Sequence, residues 1–93
     1  MAGPSLAAAR AVLAKLYLKS GKNGEAAEQC RRALNLDPKD QTSLYRLIQA
    51  LRKSGQTAEV PELLKRLAML RQDSAKEQKQ RYRYKLVEGD AQP

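Results

Sequence analysis

The densest cluster of chemically capable side chains is Lys79-Gln80-Arg81-Tyr82-Arg83-Tyr84-Lys85, where cations alternate with phenols. Basic groups neutralise phosphates and aromatic rings stack on bases, so the composition is that of a nucleic-acid grip. The spacing argues otherwise. On a helix, residues two apart face different ways, so Arg81, Arg83 and Lys85 scatter around the cylinder. Tyr82 and Leu86 fall at i, i+4 and can dock such a helix on its neighbour, leaving the cations solvated. A membrane-surface role has less support still, because the apolar face is small.

Other candidates for chemistry are few. Cys30 is the single cysteine and is followed by Arg31 and Arg32, but a reactive thiolate needs an exposed, electropositive setting, and burial would make the sulfur inert. Histidine, tryptophan and phenylalanine are absent. No nucleophile–base pair, metal-ligand spacing or phosphate loop is present, so no enzyme activity, cofactor or metal is expected. The formal net charge of +8 favours an acidic partner, nucleic acid or an anionic surface.

The 93 residues suffice for one small domain, and a 42% hydrophobic content fits neither a disordered nor a membrane chain. One cysteine forms no internal disulfide, and a reducing, cytoplasmic setting is the default expectation. After Met1-Ala2-Gly3-Pro4-Ser5, the alanine-rich stretch is broken by Arg10 and Lys15, so no signal peptide or membrane span is expected. The abrupt start is also what a piece of a longer chain would have, with signals of its own elsewhere.

What organises these residues is a repeat. Lys19-Ser20-Gly21 returns 34 residues later as Lys53-Ser54-Gly55, and Leu13, Glu25 and Leu36 return as Leu47, Glu59 and Leu70. Ala26, Cys30 and Ala33 are matched in phase by Val60, Leu64 and Leu67. A 34-residue period made of two helical segments marks a helical solenoid.

The helices follow from caps and periodicity. Ser5 is a suitable N-cap for a helix from Leu6 to about Ser20, with Leu6, Leu13, Leu16, Tyr17 and the intervening alanines as its apolar positions. Gly21 ends it. Asn23 can cap a second helix with Glu25 in its first turn and a buried stripe of Ala26, Ala27, Cys30, Ala33, Leu34 and Leu36. Asp37-Pro38 stops that helix. Asp40 is the expected cap of a third helix, whose Leu44, Leu47, Ile48 and Leu51 show i, i+3, i+4, i+7 spacing and which Gly55 ends. Thr57 is the matching cap of a fourth, with Val60, Leu63, Leu64, Leu67 and Leu70 inward and Pro61 tolerated only in its first turn. Ser74 and Glu77 form a capping-box signature for a fifth helix from Ser74 to about Val87. Gln72 stands where the first copy has Pro38, so the fourth and fifth helices could instead run on with a kink.

These residues resemble the tetratricopeptide repeat family, whose pattern is Trp-x2-Leu-Gly-x2-Tyr, then Ala-x3-Phe, then Pro. The first copy has Arg10-x2-Leu13-Ala14-x2-Tyr17, Ala26-x3-Cys30, Ala33 and Pro38. The second has Leu44-x2-Leu47-Ile48-x2-Leu51, Val60-x3-Leu64 and Leu67. Cys30 stands where the family has a large buried side chain, which implies a packing role. Ile48 departs from a small residue and Arg10 from a large apolar one, the latter suiting an end repeat with one solvated face. The resemblance implies an all-α, right-handed α-solenoid of five helices: repeat one at 7–40, repeat two at 41–73 and a capping helix at 74–87. The domain would span 6–88, with disordered ends at 1–5 and 89–93.

Arrays of this family bind peptides along a concave groove lined by the first helix of each repeat. The resemblance therefore assigns groove positions to Lys15, Leu18 and Lys19 of the first helix, and to Tyr45, Arg46, Gln49, Arg52 and Lys53 of the third. The fifth helix would add Lys76, Lys79 and Arg83. Such a surface would hold acidic side chains or a terminal carboxylate through charge-assisted hydrogen bonds. The two-carboxylate clamp by which some members hold chaperone tails uses paired asparagines, and Lys15 and Arg46 stand at those positions, so that clamp is not reproduced. The expectation is a non-catalytic protein–protein interaction scaffold whose partner is an acidic protein or peptide. Alternatives are a nucleic-acid-binding helical domain, a self-associating fragment of a larger array, and an ordinary cationic helix surface.

Overall fold

Ser5 sets the start of the chain's first helix: its backbone is extended and its Oγ accepts from the Ala8 N–H at 3.0 Å, satisfying a donor the helix cannot. From there the computed structural model, which describes the backbone of residues 5–91 and the side chains of residues 5–80, is helical with short connections. The helices are α1 (Leu6–Lys19), α2 (Asn23–Leu36), α3 (Gln41–Lys53) and α4 (Val60–Ala91). Helix α1 packs on α2 and α3, α2 on α3, and α3 on α4.

The repeat is visible in the turns. Gly21 and Gly55 both adopt positive φ, which costs a Cβ-bearing residue energy and costs glycine little. The following N–H then reaches back, Lys22 to the Tyr17 carbonyl at 2.8 Å and Gln56 to the Leu51 carbonyl at 2.9 Å. Gly21 and Gly55 themselves donate to Leu18 and Arg52, each at 3.2 Å, completing one Schellman motif per repeat. Helix α2 ends at Leu36, with Asp37 extended before Pro38.

The core is a cluster of Ala14, Ala26, Cys30, Leu34, Leu44, Leu47, Ile48, Ala50, Leu51, Val60, Leu63 and Leu67, with Tyr17, Leu18, Ala27 and Leu70 packed at its margin. Small side chains on α1 and α2 let those helices approach closely, and α3 fills the space with its large ones. Polar contacts tie the layers together. Arg10 donates to Gln29 Oε1 at 2.9 Å, and Arg66 to the Pro38 carbonyl at 2.8 Å. Arg31 makes a bidentate pair with Glu59 at 2.7 and 3.2 Å, and that hydrogen bond holds the Glu59 carboxyl below the usual carboxylate range.

Several expectations are corrected. The fifth helix does not begin at Ser74: α4 is one helix of 32 residues, so the described residues form four helices and no separate capping helix at 74–87. The cause is local. No glycine or proline interrupts the chain between Leu70 and Gln80, Gln72 retains the N–H that Pro38 lacks, and Ser74 Oγ accepts from Gln41 Nε2 at 2.9 Å instead of capping a helix start. Of the disordered ends, residues 1–4 and 92–93 lie outside the described residues; Ser5 caps α1 and the helix reaches Ala91.

Two caps also differ, and Asp40 holds its expected N-cap place without a side-chain bond to the helix backbone. Lys22, without a side-chain bond, precedes α2, and Asn23 is its first residue. Asp40 has N-cap backbone geometry, but its carboxylate accepts from Ser43 Oγ at 2.5 Å. Helix α4 starts at Val60 rather than after Thr57, with Pro61 in its first turn, where the missing N–H goes unneeded. Leu6, Leu13 and Leu16 are exposed while Ala7, Ala11 and Ala14 are buried, so the inward face of α1 is its alanine row. Leu36 and Leu64 are exposed as well.

Candidate functional site

Helices α1 and α3 are the first helices of their repeats, and a groove of about 300 Å³ runs between them. The 3.6-residue period puts Lys15, Leu18 and Lys19 on its α1 wall. Tyr45, Gln49 and Lys53, each one turn from the last, line the α3 wall with Arg46. Gln49 Nε2 donates to the Tyr45 hydroxyl at 3.4 Å, a long contact that sets the two side by side.

Arg46 is the best-anchored cation. It is half-buried, and its Nη1 donates across the interface to the Ala11 carbonyl of α1. A guanidinium carries five N–H donors in a planar fork, so one bond to α1 fixes the group and leaves others free for an anion. Lys19 and Lys53 sit in the last turns of α1 and α3, where cations complement the negative end of the helix dipole. No carboxylate lines the groove among the described residues, and the described ion pairs, Arg31–Glu59 and Arg32–Glu28, lie elsewhere. Lys15, Lys19, Arg46 and Lys53 are thus the charged side chains that line the groove among the described residues.

Of the residues assigned to the groove from sequence, Lys15, Leu18, Lys19, Tyr45, Arg46, Gln49 and Lys53 are brought together. Arg52 is exposed on α3 without lining the groove. Lys76 lines a separate hollow with Lys39, Gln41, Leu70, Asp73, Ser74 and Glu77, where carboxylates offset the cations. Lys79 is exposed on α4 and lines neither hollow. The side chain of Arg83, like those of Arg81, Tyr82, Lys85 and Leu86, lies outside the described residues.

Cys30 is fully buried, and burial pushes its thiol up to about 11, outweighing the opposing influence of Arg46. A thiol held protonated in the core is a packing group rather than a nucleophile. Among the described residues no three His, Cys, Asp or Glu side chains are grouped to hold a metal ion. No helix among them is long and apolar enough to cross a membrane.

Sequence reasoning missed the Arg46–Ala11 bond and the exposed apolar row of Val12, Leu13 and Leu16 on α1. A residue-by-residue comparison across the 34-residue period carries the signal for both, since it asks which counterpart has a neighbouring repeat to rest on.

A family model described as tetratricopeptide repeat matches residues 17–80. No curated protein and no solved structure matches the chain significantly.

Proposed function

The chain belongs to the tetratricopeptide repeat family, and from that premise we propose that it is a non-catalytic interaction module holding an acidic peptide segment in the groove between α1 and α3. Repeats of this family generally mediate protein–protein interaction. The observation that carries the acidic specificity is the groove lining: Lys15, Lys19, Arg46 and Lys53 converge with no carboxylate among the described residues beside them. Charge-assisted hydrogen bonds from these groups to Asp or Glu side chains, or to a terminal carboxylate, are stronger than neutral ones. Tyr45 and Leu18 give the peptide's apolar atoms a surface on opposite walls. Arg46, already immobilised by Ala11, loses little further freedom on binding.

Fluorescence anisotropy of a labelled Glu- and Asp-rich peptide, titrated at several salt concentrations, tests the reading. Saturable binding that weakens with salt and is lost in Lys15→Glu/Lys53→Glu supports it. Steeper, sequence-blind affinity for oligonucleotides than for the peptide would contradict it and favour nucleic acid as the ligand of the same cations.

A further inference from the structure

The repeat allows each surface residue of the first unit to be compared with its counterpart 34 residues on. In α3, Ser43, Leu47 and Ala50 are at most 1% exposed, because α3 rests this face on α1 and α2. The α1 counterparts of Leu47 and Ala50 are Leu13 and Leu16, which are 40% and 54% exposed. Val12, counterpart of Arg46, is 55% exposed. Register is kept at all three positions and apolar character at Leu13 and Leu16, and what differs is that no described neighbour covers the α1 face.

The opposite end of the molecule is open in the same sense. Arg46 meets Ala11 across the repeat interface, and Ala11 is 3% exposed beneath it. One period later the receiving position is Tyr45, 48% exposed, and Cys30, fully buried in repeat one, has exposed Leu64 as its counterpart. Bulk is exchanged between the two sides. Within the chain a long Arg46 lies on a small Ala11; one repeat removed, a short Val12 would lie on a large Tyr45.

We infer that a second copy of this chain seats its α1 face on the α3–α4 face of the first, continuing the interface between the two repeats from one molecule to the next, with Val12 of one copy against Tyr45 of the other. The contact is heterologous, so it does not close at two copies and assembly grows with concentration. The contact shares Tyr45 with the peptide groove, but Lys15 and Lys53 line that groove and lie outside the row of Val12, Leu13 and Leu16, so self-association measured without peptide reads the stacking alone.

Light scattering of the full chain from micromolar to millimolar concentration, with Val12→Glu, Tyr45→Glu and their equimolar mixture, tests it. Both positions are exposed, so circular dichroism should be unchanged in either variant. The wild type should gain mass steadily with concentration, each variant alone should stay monomeric, and the mixture should stop at dimers, because each variant retains the face the other lacks. A wild type that stays monomeric throughout overturns the inference. So does a mixture that stays monomeric, or Tyr45→Glu dimerising alone, which would mean that α1 faces pair with each other.

Discussion

Gly21 and Gly55 hold the same backbone conformation one repeat apart, with φ of 76° and 78°, and each begins the same pair of helix-closing hydrogen bonds. Nothing lies within 4 Å of where a Cβ would stand at either glycine, so backbone conformation rather than space disfavours other residues there. Gly21→Ala and Gly55→Ala should each destabilise the fold by about 1–2 kcal/mol, the cost of a left-handed L-residue. Gly24 lies within α2 without positive φ and also with open space, so Gly24→Ala should have the opposite sign, stabilising by about 0.5 kcal/mol. Urea denaturation of the three variants measures all of these.

The buried thiol of Cys30 makes a pH prediction. Its proton is held up to about 11 in the folded chain against an ordinary value of 9.0. Between those values the unfolded chain releases the proton and the folded chain keeps it, so folding stability contributed here falls as pH rises through that window. The informative quantity is the difference between the wild type and a variant that lacks the thiol. The stability of the wild type should fall more steeply between pH 9.0 and about 11 than that of Cys30→Ala, and equal slopes would place the thiol in contact with water.

Continuity of α4 past Ser74 is open to a distance measurement. Spin labels at positions 62 and 79, on a Cys30→Ala background, should lie about 26 Å apart between their backbone attachment points if the helix is unbroken at 1.5 Å per residue. A much shorter distance would mean a fold-back at 70–74. Gln72→Pro, which removes an N–H and clashes with the preceding turn, should broaden or shorten that distance and lower the helical circular dichroism signal.

Much of this architecture is legible in the residues. Gly21, Gly55 and Asp37-Pro38 are explicit stop signals with local causes, and the Leu44, Leu47, Ile48 and Leu51 stripe has a single face it can bury. The groove wall was also readable, because residues such as Tyr45, Gln49 and Lys53 fall on one helix face once the repeat is aligned. What misled was context that local pattern does not carry. Ser74 and Glu77 look like a helix start, yet a capping signature has little effect where no breaker ends the preceding helix. Leu13 and Leu16 look like core, but among the described residues nothing covers them, and Ala7, Ala11 and Ala14 are buried instead. The same residue type at the same register, Leu13 and Leu47, is exposed in one case and buried in the other purely by position in the stack.

Electrostatics in the groove separates anchoring from recognition. Arg46→Ala removes both a guanidinium and its bond to Ala11, so it should cost about 1 kcal/mol of folding stability as well as peptide affinity. Lys15→Glu alters an exposed side chain and should leave the denaturation midpoint nearly unchanged while weakening peptide binding severalfold; Lys53→Glu should weaken binding likewise and also cost about 0.3–1 kcal/mol of stability, because it puts an anion at the negative end of α3. Paired denaturation and binding titrations distinguish the two roles.

The most direct test of the central claim is a two-dimensional NMR titration of the labelled chain with an acidic peptide. Chemical-shift changes should concentrate on α1 and α3, at Lys15, Leu18, Lys19, Tyr45, Arg46, Gln49 and Lys53, and should leave Lys76 and Lys79 on α4 nearly unmoved. Changes centred on the α4 residues, or no changes while the peptide is in excess, would contradict the groove as the binding site.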